Sequence, residues 1–294
     1  MDQQQLLGLY RFMVQARHID LVEKELTNRG EAFFHLSGAG HEAIAALAPH
    51  LTSEDWLHCH YRDRALLLAR GISARSCFDN LFCNDRSPGR GRRMTPFMSD
   101  QALHILSMVT PTANNALQAI GVAAAVKSRP GKPIVYCGVG DGSTQQGEYL
   151  EAIGEAVREE LPVLFVIQDN CWAISTPTAG RTFFSLPDGP GESFFGLPIH
   201  YVDGRDVETA FHAFSATVTQ VRETRGPALV VFRVERLSSH TNADDQTIYR
   251  TAEDLSRAEA EEERCGELME ELCALYIWSP CCQGGGMHRT HPAP

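Results

Sequence analysis

Two apolar runs stand out in the middle of the chain. Ile134 to Val139 is apolar and partly β-branched, and Val163 to Ile167 repeats the pattern. Short runs with no polar alternation suit strands buried on both faces. Between them Leu150, Ile153, Ala156 and Val157 recur at helical spacing, with Glu148, Glu151, Glu155 and Glu159 largely outside that stripe. The pattern predicts a helix over 147–160, and Pro162 stops it. The whole reads as strand, helix, parallel strand. Gly140-Asp141-Gly142-Ser143 and Asp169-Asn170-Cys171-Trp172 then lie at the carboxyl ends of the two strands. Such sheets bind ligands at that edge. Asp141 and Asn170, 29 positions apart, are expected side by side there.

The pattern extends in both directions. Leu6, Leu9, Tyr10, Met13, Val14 and Ile19 mark an opening helix over 3–29. Small residues 37–40 form a turn, and His41 or Glu42 opens a second helix to about 50. A short helix over 66–70 ends at Gly71, and 84–100 is a basic loop with four arginines. A helix rich in small residues covers 116–127. Residues 173–196 have no period and read as a loop. Residues 199–204 read as strand and turn, Asp206 caps a helix over 207–224, and 228–234 is another buried strand. The expected fold is α/β, a mainly parallel sheet with helices on both faces, in one domain over 1–255. A helix follows over 251–275, its 256–275 part strongly acidic. Residues 276–294 form an atypical tail, expected to be disordered or truncated.

Composition narrows the function. A formal net charge of −11 argues against a nucleic-acid binder. No apolar run approaches the ~20 residues of a membrane span. The first 26 residues resemble neither a signal peptide nor a transit peptide, so a cytoplasmic location is expected. Nine cysteines with no CxxC pair suggest neither a zinc ribbon nor a redox pair.

The edge at 141 and 170 suits a hard cation. Mg²⁺ prefers octahedral oxygen ligands and often shares them with phosphate. Asp141 offers a carboxylate, Asn170 an amide oxygen and Trp172 a backbone carbonyl. The start of the 147–160 helix offers free N–H groups to a diphosphate. The alternative is an ordinary turn in which Asp141 caps a helix. His58 and His60 share one side of a strand, but two histidines without a third ligand are usually polar surface. Arg62 or Arg64 could pair with Asp63 at the surface. His35 could be a strand-end histidine bonded to backbone, His41 a helix-start residue supporting a ligand group from behind, and His240 a surface loop histidine.

The run GDGSTQQGEYLEAIGEAVREELPVLFVIQDNCWAIST resembles the alpha subunit, or alpha half, of the thiamine-diphosphate-dependent 2-oxo acid dehydrogenases of pyruvate and branched-chain type. The resemblance covers roughly 5–255. It implies a thiamine-diphosphate-binding fold in which Asp141, Asn170 and Trp172 hold Mg²⁺. Tyr61, Arg62, Gly142 and Ser143 would hold the diphosphate, and Thr110 and Thr112 stand at the aminopyrimidine pocket. It implies His35 and His240 as the histidines facing the reacting ring. The Arg236…His240-Thr241…Asp244-Asp245…Tyr249-Arg250 loop matches the branched-chain form, with Thr241 where some members carry a regulatory phosphoserine. At 94–98 the family's Met-His pattern lacks its histidine. The implied reaction is oxidative decarboxylation of a 2-oxo acid with acyl transfer to a lipoyl group. The glutamate that activates the cofactor lies on a beta subunit in this family. The chain alone is therefore expected to be inactive, with an alpha2beta2 assembly and a lipoyl-bearing acyltransferase as partners. Alternatives are a degenerate alpha-like binding subunit and another thiamine-diphosphate half-enzyme, such as a transketolase-like one.

Overall fold

The computed structural model describes residues 1–262. The strands of its main sheet are β1 (Trp56–His58), β2 (Val135–Gly140), β3 (Val163–Asp169), β4 (Ser193–Phe194), β5 (Leu197–Asp203) and β6 (Ala228–Arg233). Their order is β1-β2-β3-β6-β5-β4. All neighbours are parallel except the β4–β5 hairpin at one edge. The helices are α1 (Gln3–Asn28), α2 (Arg64–Arg70), α3 (Ala74–Leu81), α4 (Asn114–Val126), α5 (Gly147–Arg158) and α6 (Val207–Thr224).

Alternation along the strands builds two cores. Tyr136, Leu164, Val166, Val230 and Phe232 face one way and pack with α1, α2, α6 and the 42–50 segment. Val135, Cys137, Val139, Phe165, Ile167 and Val231 face the other way, onto α4 and α5. Both faces are covered, which is why the strands read as unbroken apolar runs. Ala116, Ala119 and Ala123 of α4 and Ala152 and Ala156 of α5 are fully buried, and their small side chains let the two helices approach closely. The mainly parallel α/β sheet with helices on both faces is the architecture the sequence implied.

Local chemistry sets the helix ends. Asp2 accepts from the Gln5 amide while the Gln5 side chain accepts from the Asp2 amide, a capping box that starts α1. Asp206 accepts from Glu208 and Thr209 to start α6, as expected. Three features differ from the sequence reading. Glu42–His50 winds as a 3-10 helix. Helix α3, capped by Ser73, lies in a stretch given no element above. The stretch expected as a loop over 173–196 holds strand β4 and most of two small hairpins, 172–177 and 185–190. A helix begins at 252. The rest of the helix expected to 275, and the tail at 276–294, lie outside the described residues.

Candidate active site

The carboxyl ends of β1, β2 and β3 meet at a cavity of about 350 Å³. The sheet register explains its floor. Gly140 of β2 pairs with Gln168 of β3, so Asp141 emerges beside Asp169, one residue before Asn170. Gly142 is needed here, because a Cβ on it would lie 2.5 Å from the Cβ of Ala173. Asp141 is buried, and its Oδ2 accepts from Thr178 Oγ1 at 2.6 Å. Burial pushes its carboxyl up to about 6; the Thr178 bond opposes this and the charge of Asp169 adds to it. Burial also raises Asp169. A buried carboxylate beside a second, partly buried one, both with raised pKa values, makes a corner suited to a cation. Asn170 turns its Oδ1 to the Trp172 amide at 3.1 Å.

A cation faces the same cavity. Arg62 is buried, and burial lowers its pKa. Among the described residues it forms no salt bridge. Its guanidinium donates instead to the Ser37 carbonyl and, at 3.2 Å, to His240 Nδ1. Its carbon lies 5.3 Å from the centre of the Tyr61 ring. A buried guanidinium without a carboxylate is poorly compensated until an anion reaches it. The donor set thus fits a diphosphate chelating a divalent metal, with Asp141 and Asn170 at one pole and Arg62 and Tyr61 at the other.

His240 belongs to a loop pinned by buried charge. Arg236 is fully buried and donates to the Ile174 carbonyl and the Tyr249 hydroxyl, each at 2.8 Å. Tyr249 and the His240 amide both donate to Asp244 Oδ2. Burial, then the charges of Arg62 and Arg236, lower His240 to about 4, so its ring is neutral at pH 7. Arg62 can only donate. His240 Nδ1 is therefore the acceptor, and Nε2 carries the proton as a donor for a bound ligand. The loop is tied to the 37–41 turn at Gly40, where a Cβ would fall 1.9 Å from the Glu235 carbonyl oxygen.

Ten of the expected site residues line this one cavity: Tyr61, Arg62, Thr110, Thr112, Asp141, Gly142, Ser143, Asn170, Trp172 and His240. His35 does not. Its neighbours Phe34 and Leu36 face the cavity, while its own ring is buried with Nε2 3.2 Å from Asp20 Oδ1. Asp20 also accepts from Ser37 Oγ and the Gly38 amide. Burial alone would raise the Asp20 carboxyl, but the His35 bond, the Arg64 charge and the Ser37 bond hold it at about 2. The sequence suggested backbone as the alternative partner of His35; the ring partner is a carboxylate.

Two other expectations are corrected by burial. His58 and His60 are not polar surface: both are buried, with His58 bonded to Gln118 and His60 lining the cavity. Neither ring nitrogen of His60 has a hydrogen-bond partner among the described residues, and burial lowers its pKa well below the usual value. Asp63 is not in a surface ion pair. It is fully buried, bonded to Tyr136 and Gln168, while Arg64 pairs with Glu23 at 2.6 Å. Met94 and Phe97 of the basic loop line the cavity, but none of its four arginines does. Asn115, which lines the cavity and donates to the Gly138 carbonyl, escaped the sequence reading because nothing local separates it from Asn114.

The sequence model of the family described as "Dehydrogenase E1 component" matches residues 10–280. The chain is 26% identical to the 2-oxoisovalerate dehydrogenase subunit alpha of Mus musculus over 95% of its own length and 63% of that protein's. It is 29% identical to the pyruvate dehydrogenase E1 component subunit alpha of Acholeplasma laidlawii, covering 85% of this chain and 70% of that one. A solved transketolase from Campylobacter jejuni superposes with a TM-score of 0.56 at 15% identity, over 95% of this chain and 49% of the other, a likeness of fold. The chain spans less than two thirds of the mouse relative's length. With a family match over most of its length, and motif residues gathered at one cavity, the chain belongs to the dehydrogenase E1 component family.

Proposed function

We propose that this chain is the alpha component of a thiamine-diphosphate-dependent 2-oxo acid dehydrogenase. One observation carries the reading: a buried carboxylate, Asp141, and a buried guanidinium without a salt bridge among the described residues, Arg62, face the same cavity. A metal–diphosphate pair supplies both missing charges. Asp141, Asn170 and the Trp172 carbonyl would hold Mg²⁺. Tyr61, Arg62, Gly142 and Ser143 would hold the diphosphate, and Thr110 and Thr112 would border the pyrimidine.

When bound, the cofactor supplies the carbanion chemistry that decarboxylates a 2-oxo acid. The chain's own residues anchor, orient and shield. His240, neutral with a proton on Nε2, can donate to substrate and take the proton back. Phe34, Leu36, Met94, Phe97 and Met108 give the cavity apolar walls that exclude water. Activation requires a glutamate from a beta partner, and acyl transfer requires a lipoyl-bearing acyltransferase.

Turnover tests the reading. Pyruvate and branched-chain 2-oxo acids are offered to the purified chain with thiamine diphosphate and Mg²⁺, with and without its beta partner. Decarboxylation is expected only with the partner. Sustained turnover by the chain alone, or none in the complex, would contradict it.

A further inference from the structure

Behind the cation corner lies a buried line of polar side chains contributed by four parts of the fold. Asp63 follows β1, Tyr136 is on β2, Gln168 is on β3, and His41 enters the 3-10 helix. We infer that the chain Asp63–Gln168–His41 is a positioning device that fixes the Asn170 amide with its oxygen toward the cation corner. The inference rests on reading Asp141 and Asn170 as metal ligands.

Hydrogen-bond direction sets the polarity of this line. Asp63 Oδ2 accepts from the His60 amide at 2.7 Å and from the Tyr136 hydroxyl at 2.9 Å. Asp63 Oδ1 accepts from Gln168 Nε2. With its nitrogen committed, Gln168 turns Oε1 to His41 Nδ1 at 2.6 Å. A carbonyl oxygen only accepts, so Nδ1 carries the His41 proton. His41 Nε2 is then a lone pair, and the group it meets at 3.3 Å is the Asn170 amide nitrogen. Only Asn170 Oδ1 remains, shared between the Trp172 amide and the cavity.

With Asp63 ionised, each link is forced by the one before it; a proton on Asp63 Oδ1 would let Gln168 turn and reverse the chain. Reversing the chain would turn the Asn170 NH₂ toward the Trp172 N–H and the cation, two repulsive contacts. A cluster that served packing alone would need every group satisfied, but no particular polarity at its outer end. Outer groups that orient a ligand typically change metal affinity 10–100-fold when altered.

The full chain, labelled with ¹⁵N-histidine, tests this by NMR; the His41 signals are identified by their loss in His41→Gln. At about pH 8.5, where Asp63 is ionised, wild type is expected to show a protonated Nδ1 and a bare Nε2. Mn²⁺ binding in the presence of thiamine diphosphate, followed by electron paramagnetic resonance, gives the second readout. In Asp63→Asn the new NH₂ cannot face the two donors at Oδ2, so it faces Gln168 and reverses the chain. His41 is then expected to carry its proton on Nε2, with Mn²⁺ affinity lower by about tenfold or more. Tyr136→Phe removes a bond to the same carboxylate without reversing the chain, and is expected to keep the wild-type tautomer. A wild-type His41 protonated on Nε2 at that pH overturns the inference even if Asp63→Asn fails to fold. A folded Asp63→Asn chain that binds Mn²⁺ within twofold of wild type, or keeps the wild-type tautomer, also overturns it. Failure of the wild-type chain and its beta complex to bind Mn²⁺ sinks the metal-site reading itself, a distinct result.

Discussion

Replacing Asp141 by Asn should stabilise the cofactor-free chain while weakening the holo form. The carboxylate is buried, and burial is the main reason its pKa rises from 3.8 to about 6. That rise corresponds to about 3 kcal/mol spent on keeping the group ionised at neutral pH. Local relaxation and water entry reduce the penalty, so a gain of about 1–3 kcal/mol is expected at pH 8. Asn keeps an oxygen to accept the Thr178 hydroxyl, so that bond survives. The sign follows from the direction of the shift. Below about pH 3 the carboxyl is largely neutral whether folded or unfolded, and variant and wild type should differ little. As pH rises through about 6 the wild type loses stability that the variant keeps. With Mg²⁺ and thiamine diphosphate at about 100 times Kd, wild type regains about 2.7 kcal/mol and the variant much less. The order of stabilities should therefore invert where the cofactor-free gap is below about 2.7 kcal/mol, and the gap should close above it. Urea unfolding at pH 4.5 and pH 8, with and without cofactor, measures all four values. A variant less stable than wild type at pH 8 without cofactor, or a gap that is the same at both pH values, would refute the reasoning.

Asp20 predicts the opposite pH dependence. Its folded carboxyl lies at about 2, below the ordinary 3.8. It should contribute about 2 kcal/mol above pH 4, lost as pH falls toward 2. Acid unfolding should show the gap between wild type and Asp20→Asn shrinking across that window; a constant gap refutes it. Gly40→Ala places a Cβ 1.9 Å from a backbone oxygen at φ +92°. It should cost about 2–4 kcal/mol from overpacking plus left-handed strain, read as a lower urea midpoint. A change below 1 kcal/mol would show that the 37–41 turn and the 235–241 loop can part. Gly142→Ala pushes against Ala173 and should lower Mg²⁺-dependent cofactor affinity about tenfold, on the scale of an altered supporting group; calorimetry showing unchanged affinity counts against the corner as described.

The βαβ unit was legible because its signals are local. Unbroken apolar runs, a helical stripe and a proline stop fixed β2, α5 and β3 to within two residues, and the parallel register then set Asp141 beside Asp169. What stayed hidden depends on distant partners. His58 and His60 alternate as surface residues do, but β1 runs beside β2, and its carboxyl end opens into the cavity. The ring partner of His35 lies 15 positions upstream on α1, reached only when the 35–38 turn packs against that helix. Asp63, flanked by arginines, looked like an ion-pair partner. Instead, burial pushes it up to about 7 against the bonds from Tyr136, the His60 amide and Gln168. The 3-10 winding of Glu42–His50 is equally tertiary, since Ala43 to Leu47 are buried throughout. The match to the family pattern supplied Tyr61, Arg62 and His240 as candidates; their common cavity is a product of the fold.

Isothermal titration calorimetry with thiamine diphosphate, with and without Mg²⁺, is the most direct test of the central claim. It should be run on the chain alone, on its complex with the beta partner, and on Asp141→Ala and Arg62→Ala. Mg²⁺-dependent binding that either substitution weakens strongly is expected. Binding that ignores both substitutions, or no binding by the chain or the complex, would contradict it.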